Sequence, residues 1–161
     1  MKKNLKVTKK EKVLKSLKKR GLNFLRNKNY QKAIEVFTLF IRKHESYYEY
    51  NLITINVFPW ILDDLHEIYF FRSFTFSLLK KFDNANADFS FLMQSDCGWS
   101  YPYFLLFTQE VLKNDTNEAI KYYYKLRKDS KELIHFEKDL LTHLQINNTL
   151  EKTIELINYS L

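Results

Sequence analysis

Ala85 and Ala119 stand 34 residues apart in a chain that has only four alanines and two glycines. Aligned on these two and on Ala33, large and small residues recur at fixed offsets. Leu17, Gly21, Phe24, Tyr30 and Phe37 stand around Ala33; Tyr69, Ser73, Phe76, Phe82 and Phe89 stand around Ala85; Tyr103, Phe107, Glu110, Thr116 and Tyr123 stand around Ala119. A small residue recurring among large ones marks backbones that must approach closely. Its partner is expected on the preceding helix, where Gly21 and Ser73 hold matching places. A bulkier side chain there would force the pair apart, at an overpacking cost of about 1–3 kcal/mol. Ala33 precedes Ala85 by 52 residues, so an insertion of 18 separates the first two units.

Helices are the only regular structure this composition favours. Two Gly and two Pro in 161 residues cannot supply the tight turns of an all-β fold. Leu14, Leu17, Gly21, Phe24 and Leu25 share one face at helical spacing, and Ala33, Ile34, Phe37 and Ile41 share another. Thr8 and Glu11 have the spacing of a capping box. Pro59 and Pro102 suit the first turns of later helices. Residues 46–58 have no clear period. The expected domain is residues 12–161, behind a basic tail at 1–11. Its units lie near 14–45, 66–97, 100–131 and 134–161, with the insertion at 46–65.

Charge is concentrated at one end. The first 20 residues hold ten Lys or Arg and one Glu, a net of +9 against +7 for the whole chain. Residues 21–161 therefore carry −2. Lys9, Lys12, Lys19 and Arg26 are candidate contacts for phosphate or an acidic partner, and the other reading is a solvated helix start. Cys97 is the only cysteine, so no intramolecular disulfide forms and a reducing compartment is expected, cytoplasm or an organelle matrix. No apolar run reaches the ~18 residues of a membrane span.

The offsets resemble the tetratricopeptide repeat, W-x2-L-G-x2-Y followed by A-x3-F with a 34-residue period. The resemblance covers residues 14–161, with Thr153 in the alanine place of a degenerate last unit. It implies an all-α, right-handed α-solenoid of three to four antiparallel helix pairs and a non-catalytic protein-interaction scaffold. It also implies a concave groove lined by Lys15, Lys18, Leu22, Phe70, Phe74, Tyr101, Phe104 and Thr108, basic at one end and aromatic in the middle. An acidic or apolar peptide segment is the partner such a groove would take. The alternative for Phe70, Phe74 and Phe104 is that they are core. A subset of these repeats grips acidic chaperone tails with a Lys/Asn/Arg clamp. Only Lys18 matches it, while Leu22, Phe71, Tyr101 and Leu105 stand at its other places, so that clamp is not expected.

Nothing in the sequence points to catalysis or a cofactor. His44, His66, His135 and His143 lack the spacing of a helical zinc site. Asp63 and Glu67 lie one helical turn apart and are at most a weak hard-cation pair; a solvated face near a helix start is the plainer reading. The competing function is an RNA-associated structural subunit of a ribonucleoprotein particle, anchored through its basic N-terminus. The sequence does not fix the oligomeric state.

Overall fold

Each helix of the first pair buries the stripe its sequence sets out, except that Phe24 of the first is only half-buried. A computed structural model describes residues 9–48, 60–94, 101–115, 117–119, 121–122 and 125. They form α1 (Lys9–Arg26), α2 (Tyr30–Tyr47), α3 (Trp60–Leu78), α4 (Phe82–Gln94) and α5 (Tyr101–Lys113), and the described residues from 117 onward are helical again. In α1, Leu14, Leu17, Gly21 and Leu25 are buried; in α2, Ala33, Ile34, Phe37 and Ile41 are buried, joined by Val36, Phe40 and His44. The described residues form an all-α bundle of antiparallel helix pairs. α1 packs on α2 and α3 on α4, α2 joins the pairs by packing on α3, and α5 rests against α3 and α4.

The turns between helices repeat atom for atom. Five residues before each marker alanine the backbone is left-handed, with φ 57° at Lys28, 57° at Lys80 and 62° at Asn114. The N–H of that residue donates three residues back, Lys28 to Leu25 (2.9 Å), Lys80 to Ser77 (2.8 Å) and Asn114 to Val111 (3.1 Å). The next N–H reaches five residues back, from Asn29 to Phe24, Lys81 to Phe76 and Asp115 to Glu110, each at 2.9 Å. This paired-bond terminator satisfies the last carbonyls of one helix. The alanine N–H then closes the first turn of the next helix, at 3.0 Å for Ala33, 3.1 Å for Ala85 and 3.0 Å for Ala119. All three alanines are fully buried.

The small residue of the preceding helix is used in two ways. A Cβ on Gly21 would lie 2.3 Å from Phe37 Cε1 and 2.6 Å from Phe37 Cδ1. The group nearest Gly21 is therefore the ring of Phe37, which the glycine leaves room for. Ser73 does meet its alanine: its hydroxyl donates to the Ala85 carbonyl at 2.8 Å. Phe107 holds the same place before Ala119 and is buried.

α3 is the central helix. Leu65, Ile68, Phe70, Phe71, Ser73, Phe74, Thr75 and Ser77 are all buried, so most of its described length is covered. Its hydroxyls need partners at that depth and find them within the helix as well as across it. Thr75 donates to the Phe71 carbonyl at 2.6 Å and Ser77 to the Ser73 carbonyl at 3.0 Å. Arg72 stitches the two pairs together. Its Nε and Nη2 meet the two oxygens of Asp88 on α4 at 2.8 and 2.6 Å, and its Nη1 donates to Thr38 Oγ1 on α2 at 3.0 Å. Burial pushes the Asp88 carboxyl up, and the Arg72 guanidinium draws it back down without cancelling the rise.

Two boundaries differ from expectation. α1 already includes residues 9–11 of the expected tail, and α3 takes residues 60–65 of the expected insertion. Thr8, Pro59, residues 49–58 of the insertion and the fourth unit lie outside the described residues. Pro102 is the second residue of α5, as the sequence predicts.

Two substitutions test this account by urea unfolding. Gly21→Ala gains about 1 kcal/mol of helix propensity but collides with a Phe37 ring that is itself buried against Phe71 (centroids 6.1 Å apart). The overpacking term of about 1–3 kcal/mol dominates, so a net loss of stability is expected. Lys80→Gly relieves a left-handed residue and is expected to raise stability by about 0.5–1 kcal/mol.

Candidate functional site

The outward side of α1 is almost wholly cationic. Lys9, Lys10, Lys12, Lys15, Lys19, Arg20 and Arg26 are exposed, and Glu11 is the one carboxylate of the helix. The segregation follows from the helical period: the apolar residues at 14, 17, 21 and 25 claim the face toward α2 and leave the lysines to solvent. At the α2 end of this surface, Lys10 Nζ sits over the Tyr47 ring, 5.4 Å from its centroid.

Where α1 meets α3 the surface dips into a depression of about 310 Å³. Lys15, Lys18, Lys19, Leu22 and Arg26 of α1 line it, with Asp64 of α3 on the far side. Lys18 does not face it free. Its Nζ donates to Asp64 Oδ1 at 2.7 Å and to Glu67 Oε2 at 2.5 Å. Burial lowers the pKa of Lys18, but the bonds to Asp64 and Glu67 and their charges outweigh it and hold the ammonium above its ordinary value.

The structure thus joins residues that the sequence placed in two groups. Lys15, Lys18 and Leu22, expected in a groove, share one depression with Lys19 and Arg26, expected as separate anion contacts. Lys9 and Lys12 are exposed farther along α1 and do not line it.

The aromatic half of the expected groove is corrected. Phe70 and Phe74 are fully buried, Phe104 is 2% exposed and Thr108 1%. Phe104 of α5 sits against Phe70 at 5.9 Å and Phe74 at 6.0 Å between ring centroids. Repeat offsets assign a direction to each side chain, but not what packs on it, and here three large rings fill the α3–α5 contact. Each such aromatic pair contributes roughly 0.5–1.5 kcal/mol beyond its area. Tyr101 opens α5, and its side chain lies outside those described.

Asp64 escaped the sequence reading, which gave the carboxylates around it to solvent. Relative to their alanines, Lys18 and Glu67 fall three places apart on equivalent helices, and that was the available signal. His44 is buried along α2 between the rings of Phe40 (5.7 Å) and Tyr48 (4.8 Å), and His66 of α3 is buried 6.0 Å from Phe91 of α4, an interhelical contact. Among the described residues, no three His, Cys, Asp or Glu side chains gather as a metal site, and no helix is long and apolar enough to cross a membrane. No family model matches the chain, and no curated protein does.

Removing the Lys18 ammonium tests its pairing. Lys18→Met is expected to cost about 1 kcal/mol, the scale of a partly exposed ion pair. A raised folded-state value means this contribution is full below the unfolded-state value of 10.5 and is lost as pH rises through the folded one. Urea midpoints of wild type and variant should therefore differ at neutral pH and converge in strong alkali.

Proposed function

We propose that this chain is a tetratricopeptide-like, right-handed α-solenoid that works as a non-catalytic scaffold in a reducing compartment, binding a partner protein through its first helix pair. The observation that carries the reading is the thrice-repeated turn with its buried alanine. Each turn closes one antiparallel pair in the same way, and stacked helix pairs of one repeated design present extended surfaces rather than a reaction centre. The exposed cations of α1 and the depression beside α3 are the surface this stack offers. The binding surface lies on the first pair and its junction with α3, because the rings expected to line the middle of a groove are core.

The unbroken cationic face of α1 supports a second reading, attachment to RNA through phosphate contacts. That contact would be indifferent to sequence and would weaken steeply with salt.

Affinity capture of the full chain at moderate salt, with and without ribonuclease, separates the two. The scaffold reading expects a protein recovered in fixed proportion that survives ribonuclease. It also expects that protein to bind a chain lacking residues 1–8, which leaves α1 whole. Recovery of RNA alone, or of proteins that all vanish on ribonuclease treatment, would establish the second reading instead.

A further inference from the structure

Resting on the scaffold reading, we propose that the α1–α3 depression binds an acidic peptide segment bearing one apolar side chain, and that Asp64 and Glu67 set its charge selectivity by holding Lys18 out of the contact.

Shape and chemistry of the depression favour a peptide. Leu22 and the aliphatic stems of the surrounding lysines supply apolar surface, and about 310 Å³ has room for one large side chain. Lys15, Lys19 and Arg26 are exposed around that surface. They are placed to meet carboxylates on either side of an apolar anchor, the pairing that gives both steering and affinity. RNA fits less well. Base stacking needs an open aromatic face, and the only aromatic of α1, Phe24, is half-buried with the Lys32 ammonium over its ring at 5.8 Å.

The acids on α3 give the site a direction. Two of the three donors of Lys18 go to Asp64 and Glu67, whose charges offset its own, so it offers less to an incoming carboxylate than Lys15, Lys19 or Arg26. Asp64 is itself 46% exposed and repels negative charge on the α3 side. An acidic segment is thereby steered toward Lys15, Lys19 and Arg26, with its apolar residue on Leu22. The two acids that stabilise the α1–α3 contact also restrain affinity for the ligand.

This arrangement makes variants move in opposite senses. The probes are a short fluorescent Glu/Asp peptide with one central leucine, the same peptide with serine in that place, and a single-stranded uridine oligomer. Fluorescence anisotropy on the full chain should show the leucine peptide binding about tenfold tighter than the serine one. Lys19→Glu with Arg26→Glu, both at exposed positions, should weaken it about tenfold and flatten its salt dependence. Asp64→Asn with Glu67→Gln should tighten it about threefold, because Lys18 is released to the ligand. Circular dichroism checks that each variant stays helical, and the leucine–serine comparison needs no variant.

Equal binding of the two peptides would overturn the proposal. So would unchanged or weaker binding by the Asp64/Glu67 variant, or tighter binding of the uridine oligomer than of either peptide. If a ribonuclease-resistant partner is captured and the Lys19/Arg26 variant holds it undiminished, this site is wrong while the scaffold reading stands.

Discussion

The architecture depends on two helix pairs closing at short range, and in each the contact is made by a residue with almost no side chain. In the first pair the Phe37 ring lies against the bare Cα of Gly21. In the second, Ser73 comes near enough to Ala85 to bond its carbonyl. One contact is a steric allowance and the other a hydrogen bond, and each lets its two helices approach closely. With α2 seated on the stripe of Leu14, Leu17, Gly21 and Leu25, the other residues of α1 are left toward water.

The connection between pairs is equally economical in its chemistry. α3 touches α2, α4 and α5, and its side chains reach into each contact. Arg72 bonds Asp88 and Thr38, so one guanidinium ties three helices. A charge held this deep costs desolvation, which the rise in Asp88 registers. What it adds is geometry, since a bidentate pair fixes the rotation of α4 against α3 more narrowly than packed rings alone. Phe70, Phe74 and Phe104 then carry the bulk of the contact to α5.

Charge is arranged on a different logic from packing. The cations of α1 are excluded from the core by the helical period, and they accumulate on one side because the helix has a single carboxylate. Only Lys18 is drawn back, by two acids from α3. The result is a positively charged border around an apolar spot at the junction of the first and second pairs.

The sequence by itself determined the helices, the repeat and the buried stripe of the first pair, because these rest on local periodicity and on small residues at fixed offsets. Ala33, Ala85 and Ala119 could be read as markers before any coordinates, and all three are buried. The left-handed turns could not, since Lys28 and Lys80 occupy places where glycine would have been the signal. Tertiary structure alone decided which groove positions were open. Apolar and polar residues are spread around α3 with no helical period, so its sequence set no clear outward face, and the packing of α5 makes Phe70 and Phe74 core. It also decided that Lys18 belongs to Asp64 and Glu67, because partners 46 and 49 residues away are joined by the stacking of two pairs and by nothing local.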